Sequence, residues 1–70
     1  MSLPKMTLKA ARVNCGLTQK KAAECLGITP KTLGNYETGA SFPDVAMVKR
    51  IEDLYGVPYR DLIFLNTDYD

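Results

Sequence analysis

Residues 19–36, QKKAAECLGITPKTLGNY, decide the fold. They read as two short helices joined by a tight turn. Ala22 and Ala23 stand midway along the first, where another helix can cross closely only over a short side chain. Gly27 follows Leu26 where the chain must turn, and glycine tolerates the left-handed backbone that ends a helix. Thr29 suits the cap of a second helix and Pro30 its first turn. Ile28 and Leu33 supply the apolar wedge between the two.

The flanking chain adds further helices at helical spacing. Thr7 is a cap for a first helix running to about Cys15, with Leu8, Ala11 and Cys15 on one face. Gly16 ends it, Leu17 anchors the loop in the core, and Thr18 caps the second helix, 19–26, whose Ala22, Ala23 and Leu26 face inward. The third covers 30–37, with Leu33 and Tyr36 inward. Residues 38–43, TGASFP, form a loop. Asp44 caps a fourth helix, 45–55, with an apolar stripe of Val48, Ile51, Leu54 and Tyr55. Gly56 stops it, Val57-Pro58 turns the chain, and a short fifth helix is expected over 59–64 with Leu62 and Ile63 inward. No stretch alternates with period two long enough for a strand. The expectation is a single all-α domain over 1–70 with its core at about 7–65 and flexible ends at 1–6 and 66–70.

Composition narrows the function. Seventy residues make one small domain. Hydrophobic residues are 46% of the chain, too many for disorder and enough for one modest core. No apolar run approaches the roughly 18 residues of a membrane span, and MSLPKMTLK lacks the apolar core of a signal peptide. A cytoplasmic chain without a membrane partner is expected. Cys15 and Cys25 lack metal-ligand spacing and the chain has no histidine. Both read as small buried hydrophobes, with no metal and no cofactor.

The net charge of +1 conceals an asymmetry. Residues 1–36 hold six lysines and arginines against Glu24 alone, a net +5. Residues 37–70 hold three against seven carboxylates, a net −4. A basic half carrying the two-helix stretch suits a polyanion on one side of the domain.

Taken together these residues resemble the lambda-repressor-like helix-turn-helix family, the XRE or Cro/repressor class. The resemblance covers about 8–63. It is carried by Arg12 with Gly16-Leu17-Thr18-Gln19, by Ala22-Ala23, Leu26-Gly27-Ile28-Thr29 and Leu33, by Tyr36-Glu37 with Gly39, by Pro43, and by Gly56-Val57. It implies a compact five-helix domain whose second and third helices form the helix-turn-helix. It implies that Gln19 grips a DNA phosphate. It also implies that Arg12 and Glu37 form an internal salt bridge, so that Arg12 is structural and not a base reader. Tyr36, where the family usually has tryptophan or an aliphatic, is core filler.

The third helix then becomes the recognition helix, exposing Thr29, Pro30, Lys31, Gly34 and Asn35. Lysine can donate to guanine O6 and N7, and asparagine can pair bidentately with adenine, each good contact giving about 1–3 kcal/mol of discrimination. Pro30 offers an apolar face, for instance to a thymine methyl. Asn35 stands open between base and phosphate. Thr18 and Gln19 at a helix start make an anion site. With them, Lys20, Thr32, Thr38 and Ser41 are the phosphate candidates. Lys5, Lys9 and Lys21, with Lys20, make up some of the phosphate contact. Gly34 stands where relatives often carry a side chain, and either permits close approach of the backbone to DNA or is simply tolerated.

Three function classes follow. The leading one is a sequence-specific regulator that binds a palindromic double-stranded DNA operator as a homodimer, because one domain touches too few bases to find its site alone. Val57, Pro58, Tyr59, Phe64 and Leu65 are the apolar candidates for the dimer contact, with core closure as the other role for Phe64. The alternative is a protein-interaction module of the same fold, antitoxin-like or an anti-repressor partner, in which DNA binding is secondary. An enzyme is the poorest reading: no nucleophile, carboxylate pair or phosphate loop has catalytic spacing. No small-molecule ligand is evident.

Overall fold

The computed structural model describes residues 5–64. Among these the chain forms four α-helices, α1 (Leu8–Asn14), α2 (Gln19–Leu26), α3 (Pro30–Thr38) and α4 (Val45–Tyr55). Each starts at a side-chain cap. The hydroxyls of Thr7, Thr18 and Thr29 accept from the backbone N–H three residues on, each at 3.1 Å, and the Asp44 carboxylate does so at 2.8 Å. Replacing such a cap with alanine costs about 1 kcal/mol, so these four residues fix where the helices begin.

The α2–α3 turn is set by Gly27, whose φ of 74° a side chain would strain. Around it, the N–H groups of Gly27 and Ile28 donate to the carbonyls of Glu24 and Ala23 at 3.2 and 3.0 Å. That double bond closes the helix end and redirects the chain at once. Ala22 and Ala23 are fully buried, and α2 packs on both α3 and α4 across them. Leu8, Leu26, Leu33 and Ile51 fill the centre, each exposed by 2% or less. Tyr55, Val57 and Leu62 close the far end of the core. Leu17, Ile28, Tyr36 and Leu54 pack half-buried around it.

Two expectations are corrected. Residues 59–64 do not form a fifth helix. A 3-10 turn, Tyr59–Asp61, is followed by β2 (Leu62–Ile63), which pairs in parallel with β1 (Met6–Thr7). The register sets Met6 against Leu62 and Thr7 against Ile63. A six-residue helix makes few internal hydrogen bonds for its nucleation cost, whereas pairing the two chain segments satisfies backbone groups on both. The side chains follow the strand: Leu62 is buried and Ile63 is 40% exposed, so Leu62 and Ile63 are not an inward pair. Met6 belongs to this ladder and not to a loose end. The turn itself is tied to α4, since the Tyr59 N–H donates to the Glu52 carboxylate at 2.6 Å.

The cysteines are the second correction, since Cys15 and Cys25 are both free and exposed. Cys15 lies one residue beyond α1 and its thiol donates to the Tyr55 carbonyl at 3.4 Å. Cys25 falls beside the stripe of Ala22, Ala23 and Leu26 that α2 buries. The expected ends at 1–4 and 66–70 lie outside the described residues.

Candidate nucleic-acid interface

The outer edge of α3 begins at its cap. Thr29, Pro30 and Lys31 are exposed, while Thr32, Gly34 and Asn35 are half-buried. Pro30 and Lys31 lie one turn before Gly34, and Lys31 lies one turn before Asn35, so the four share a face. The Thr29 and Thr32 hydroxyls are 2.9 Å apart and bonded to each other, while the Thr29 oxygen also caps α3. These hydroxyls therefore brace the helix start, and Lys31 is the exposed cation of this face.

Beside it stands the N-terminus of α2. Thr18 is exposed and occupied as the cap, Lys20 is exposed, and Gln19 is half-buried. Gln19 reaches across to α3, where its Nε2 donates to Glu37 Oε1 at 3.1 Å. Glu37 Oε2 accepts in turn from Arg12 Nε at 2.7 Å, and the pair's side chains are 4% and 9% exposed. Arg12 Nη1 also donates to the Leu17 carbonyl at 2.9 Å. Two buried charges are thus held by mutual pairing and by added hydrogen bonds, which is the condition for tolerating them out of water. The cluster ties α1, the α1–α2 loop, the start of α2 and the end of α3 into one unit, and it fixes the amide of Gln19 at the edge of the groove.

Lys9, Arg12, Gln19, Gly34, Glu37 and Thr38 line that open concavity. Lys9 comes from α1, and the sequence offers it with Lys5, Lys20 and Lys21 as a supplementary phosphate contact. Its spacing one turn before Arg12 is the signal that sets it beside Gln19 and Thr38. The loop after α3 is tied back on itself: the Asn35 carbonyl accepts from the Thr38 hydroxyl at 3.4 Å and from the Ser41 N–H at 3.2 Å. Thr38 and Ser41 thereby border the same side as Asn35. Buried behind Glu37 and Arg12 is Tyr55, whose pKa is pushed up to about 12 by burial first and by the Glu37 charge next. Its hydroxyl has no hydrogen-bond partner among the described residues.

The dimer candidates divide. Val57 is buried in the core and Pro58 is half-buried, whereas Tyr59 is exposed. Phe64 is half-buried, its ring 4.8 Å from that of Phe42 and 5.5 Å from that of Tyr59. Leu65 lies outside the described residues. The structure adds Phe42 and Val45, 60% and 87% exposed, which line a shallow apolar groove with Pro43, Val48 and Tyr59. The available signals were a phenylalanine beside a proline in the loop and a valine just after the Asp44 cap.

No group of His, Cys, Asp or Glu side chains among the described residues is placed to hold a metal. No described helix is long and apolar enough to cross a membrane.

A helix-turn-helix family model matches residues 8–62. The chain is 46% identical over 69 residues to the HTH-type transcriptional regulator ImmR of Bacillus subtilis (strain 168), an overlap of 99% of this chain and 47% of that protein. It is 36% identical over 50 residues to the SPbeta prophage-derived uncharacterized HTH-type transcriptional regulator YonR of the same organism, covering 71% of this chain and 46% of that protein. The chain spans about half the length of these two relatives.

Proposed function

Because the chain belongs to the lambda-repressor-like helix-turn-helix family, we propose that it binds double-stranded DNA sequence-specifically as a transcriptional regulator of the Cro/repressor type. Helix α3 enters the major groove. Lys31 and Asn35 read base edges, with Thr29 and Pro30 contributing shape and apolar contact. Thr18, Gln19, Lys20, Thr32, Thr38 and Ser41 hold phosphates on either side. The observation that carries this reading is a concavity in which Gly34 and Thr38 of α3 meet Gln19 at the start of α2 and Lys9 of α1, one turn from the exposed Pro30 and Lys31.

The operator is a palindrome bound by two copies. The molecule measures 35 × 31 × 21 Å, close to the roughly 34–36 Å between half-sites one helical turn apart. Half-sites one helical turn apart set the two copies about one molecular length from each other. Tyr59 and Phe64, joined by Phe42 and Val45, supply the apolar contact between them, with Pro58 at the edge.

Duplex binding at rising salt tests this reading. Binding through several lysines releases counterions, so log affinity falls linearly with log salt, by roughly 0.9 per phosphate neutralised. A flat response, or no binding at low salt, contradicts it and favours the protein-interaction module, with the Phe42 and Val45 groove as its docking surface.

A further inference from the structure

The chain has five glycines, and four of them explain themselves. Gly16, Gly27, Gly39 and Gly56 all have positive φ at helix ends or turns. Gly34 does not. It lies inside α3 with ordinary helical backbone, where alanine is the better helix former. Among the described residues, no close contact asks for the missing side chain. The nearest atoms a Cβ at this position would meet belong to the Gln19 amide group, at 3.5 Å from Nε2, 3.8 Å from Oε1 and 3.9 Å from Cδ, all ordinary van der Waals distances.

The geometry points to Gly34 as the place where the α3 backbone comes against the nucleic acid, a specificity-determining position whose lack of a side chain is set by the partner and not by the fold. This inference rests on the DNA-binding reading above. Gly34 is one turn from Pro30 and Lys31 and adjacent to Asn35, in the middle of the reading face. It also lines the concavity between Gln19 and Thr38, on which phosphates are to sit. A methyl group there has room against the protein, so its cost falls on the approach of α3 to the groove. Lys31 and Asn35 flank this point, and a helix held off by one side chain loses reach for both. The same logic makes the effect sequence-dependent: base pairs read by Lys31 and Asn35 lose discrimination, whereas the phosphate contacts of Lys20 are retained.

The test compares wild type, Gly34→Ala, Gln19→Ala and the double variant. Each is titrated with the duplex that wild type enriches from a random pool, and each is melted thermally. The expected result is a Gly34→Ala protein that melts higher, by about 4–8 °C, yet binds the duplex roughly tenfold more weakly, the size of losing one good base contact. The same loss should recur in the Gln19→Ala background. Unchanged or tighter binding by Gly34→Ala overturns the inference. So does a loss that disappears once Gln19 is alanine, because the methyl then acts by displacing that side chain. A lower melting temperature overturns it too, since the glycine would then serve the fold. If wild type itself enriches no duplex, the DNA-binding reading fails first and this inference with it.

Discussion

Lys31 is the exposed cation on the α3 face, so its removal separates reading from gripping. Lys31→Ala should lower discrimination at one base pair by about 1–3 kcal/mol, whereas Gln19→Ala should weaken all duplexes alike. Competition binding against single-base variants of the selected duplex measures both. Uniform loss in both variants contradicts the assignment. Tyr55 carries a prediction of another kind. Its folded pKa of about 12 lies above the ordinary value of 10.0. Between those values the unfolded chain has lost a proton that the folded chain keeps, so stability falls as pH rises through that window. Tyr55→Phe removes the titrating group, and the decline in melting temperature from pH 10 to about 12 should be shallower than in wild type. Parallel declines would contradict the assigned shift. At this scale the sequence was legible where a residue has one stereochemical use. Thr7, Thr18, Thr29 and Asp44 cap helices, and Gly27 turns the chain. It was not legible for the cysteines, because a small apolar residue beside a buried stripe faces either way and only packing decides.

Between elements, the strongest link is the buried Arg12–Glu37 pair joining α1 to α3, with Gln19 added from α2. Glu37→Ala leaves Arg12 buried without its counter-charge, a loss of about 3 kcal/mol or more. Thermal melting should show a large drop, while the preferred duplex sequence stays the same. An unchanged melting temperature contradicts the structural role. The second link is the β1–β2 ladder. Leu62→Asp places a charge at a buried position paired with Met6 and should destabilise strongly, whereas Ile63→Asp, on the exposed side, should cost little. Equal effects would restore the helix reading, in which both residues face inward. Helices α2 and α4 were legible to the residue because a cap, an apolar stripe and a glycine agree at each. Residues 59–64 were misread because the unbroken apolar run Leu62, Ile63 and Phe64 carries no period, and the partner that decides its conformation, Met6–Thr7, is distant in sequence.

For the whole molecule, the excess of basic charge in residues 1–36 over residues 37–70 bears on the proposed contact with DNA. Arg12 is consumed by Glu37, which leaves Lys5, Lys9, Lys20, Lys21 and Lys31 exposed as the field that draws a polyanion. The apolar groove at Phe42, Val45 and Tyr59 is the candidate contact between copies. Val45 is 87% exposed, so Val45→Glu should leave the melting temperature of the single chain unchanged while abolishing cooperative occupancy of two half-sites. Retained cooperativity would move the dimer contact elsewhere. The central claim, a dimer that reads sequence through α3, is tested most directly by selecting binding sites from a random duplex pool at low salt and sequencing the survivors. Enrichment of a palindrome with half-sites about 10–10.5 base pairs apart is the predicted result. A pool that stays random after repeated rounds would contradict the claim.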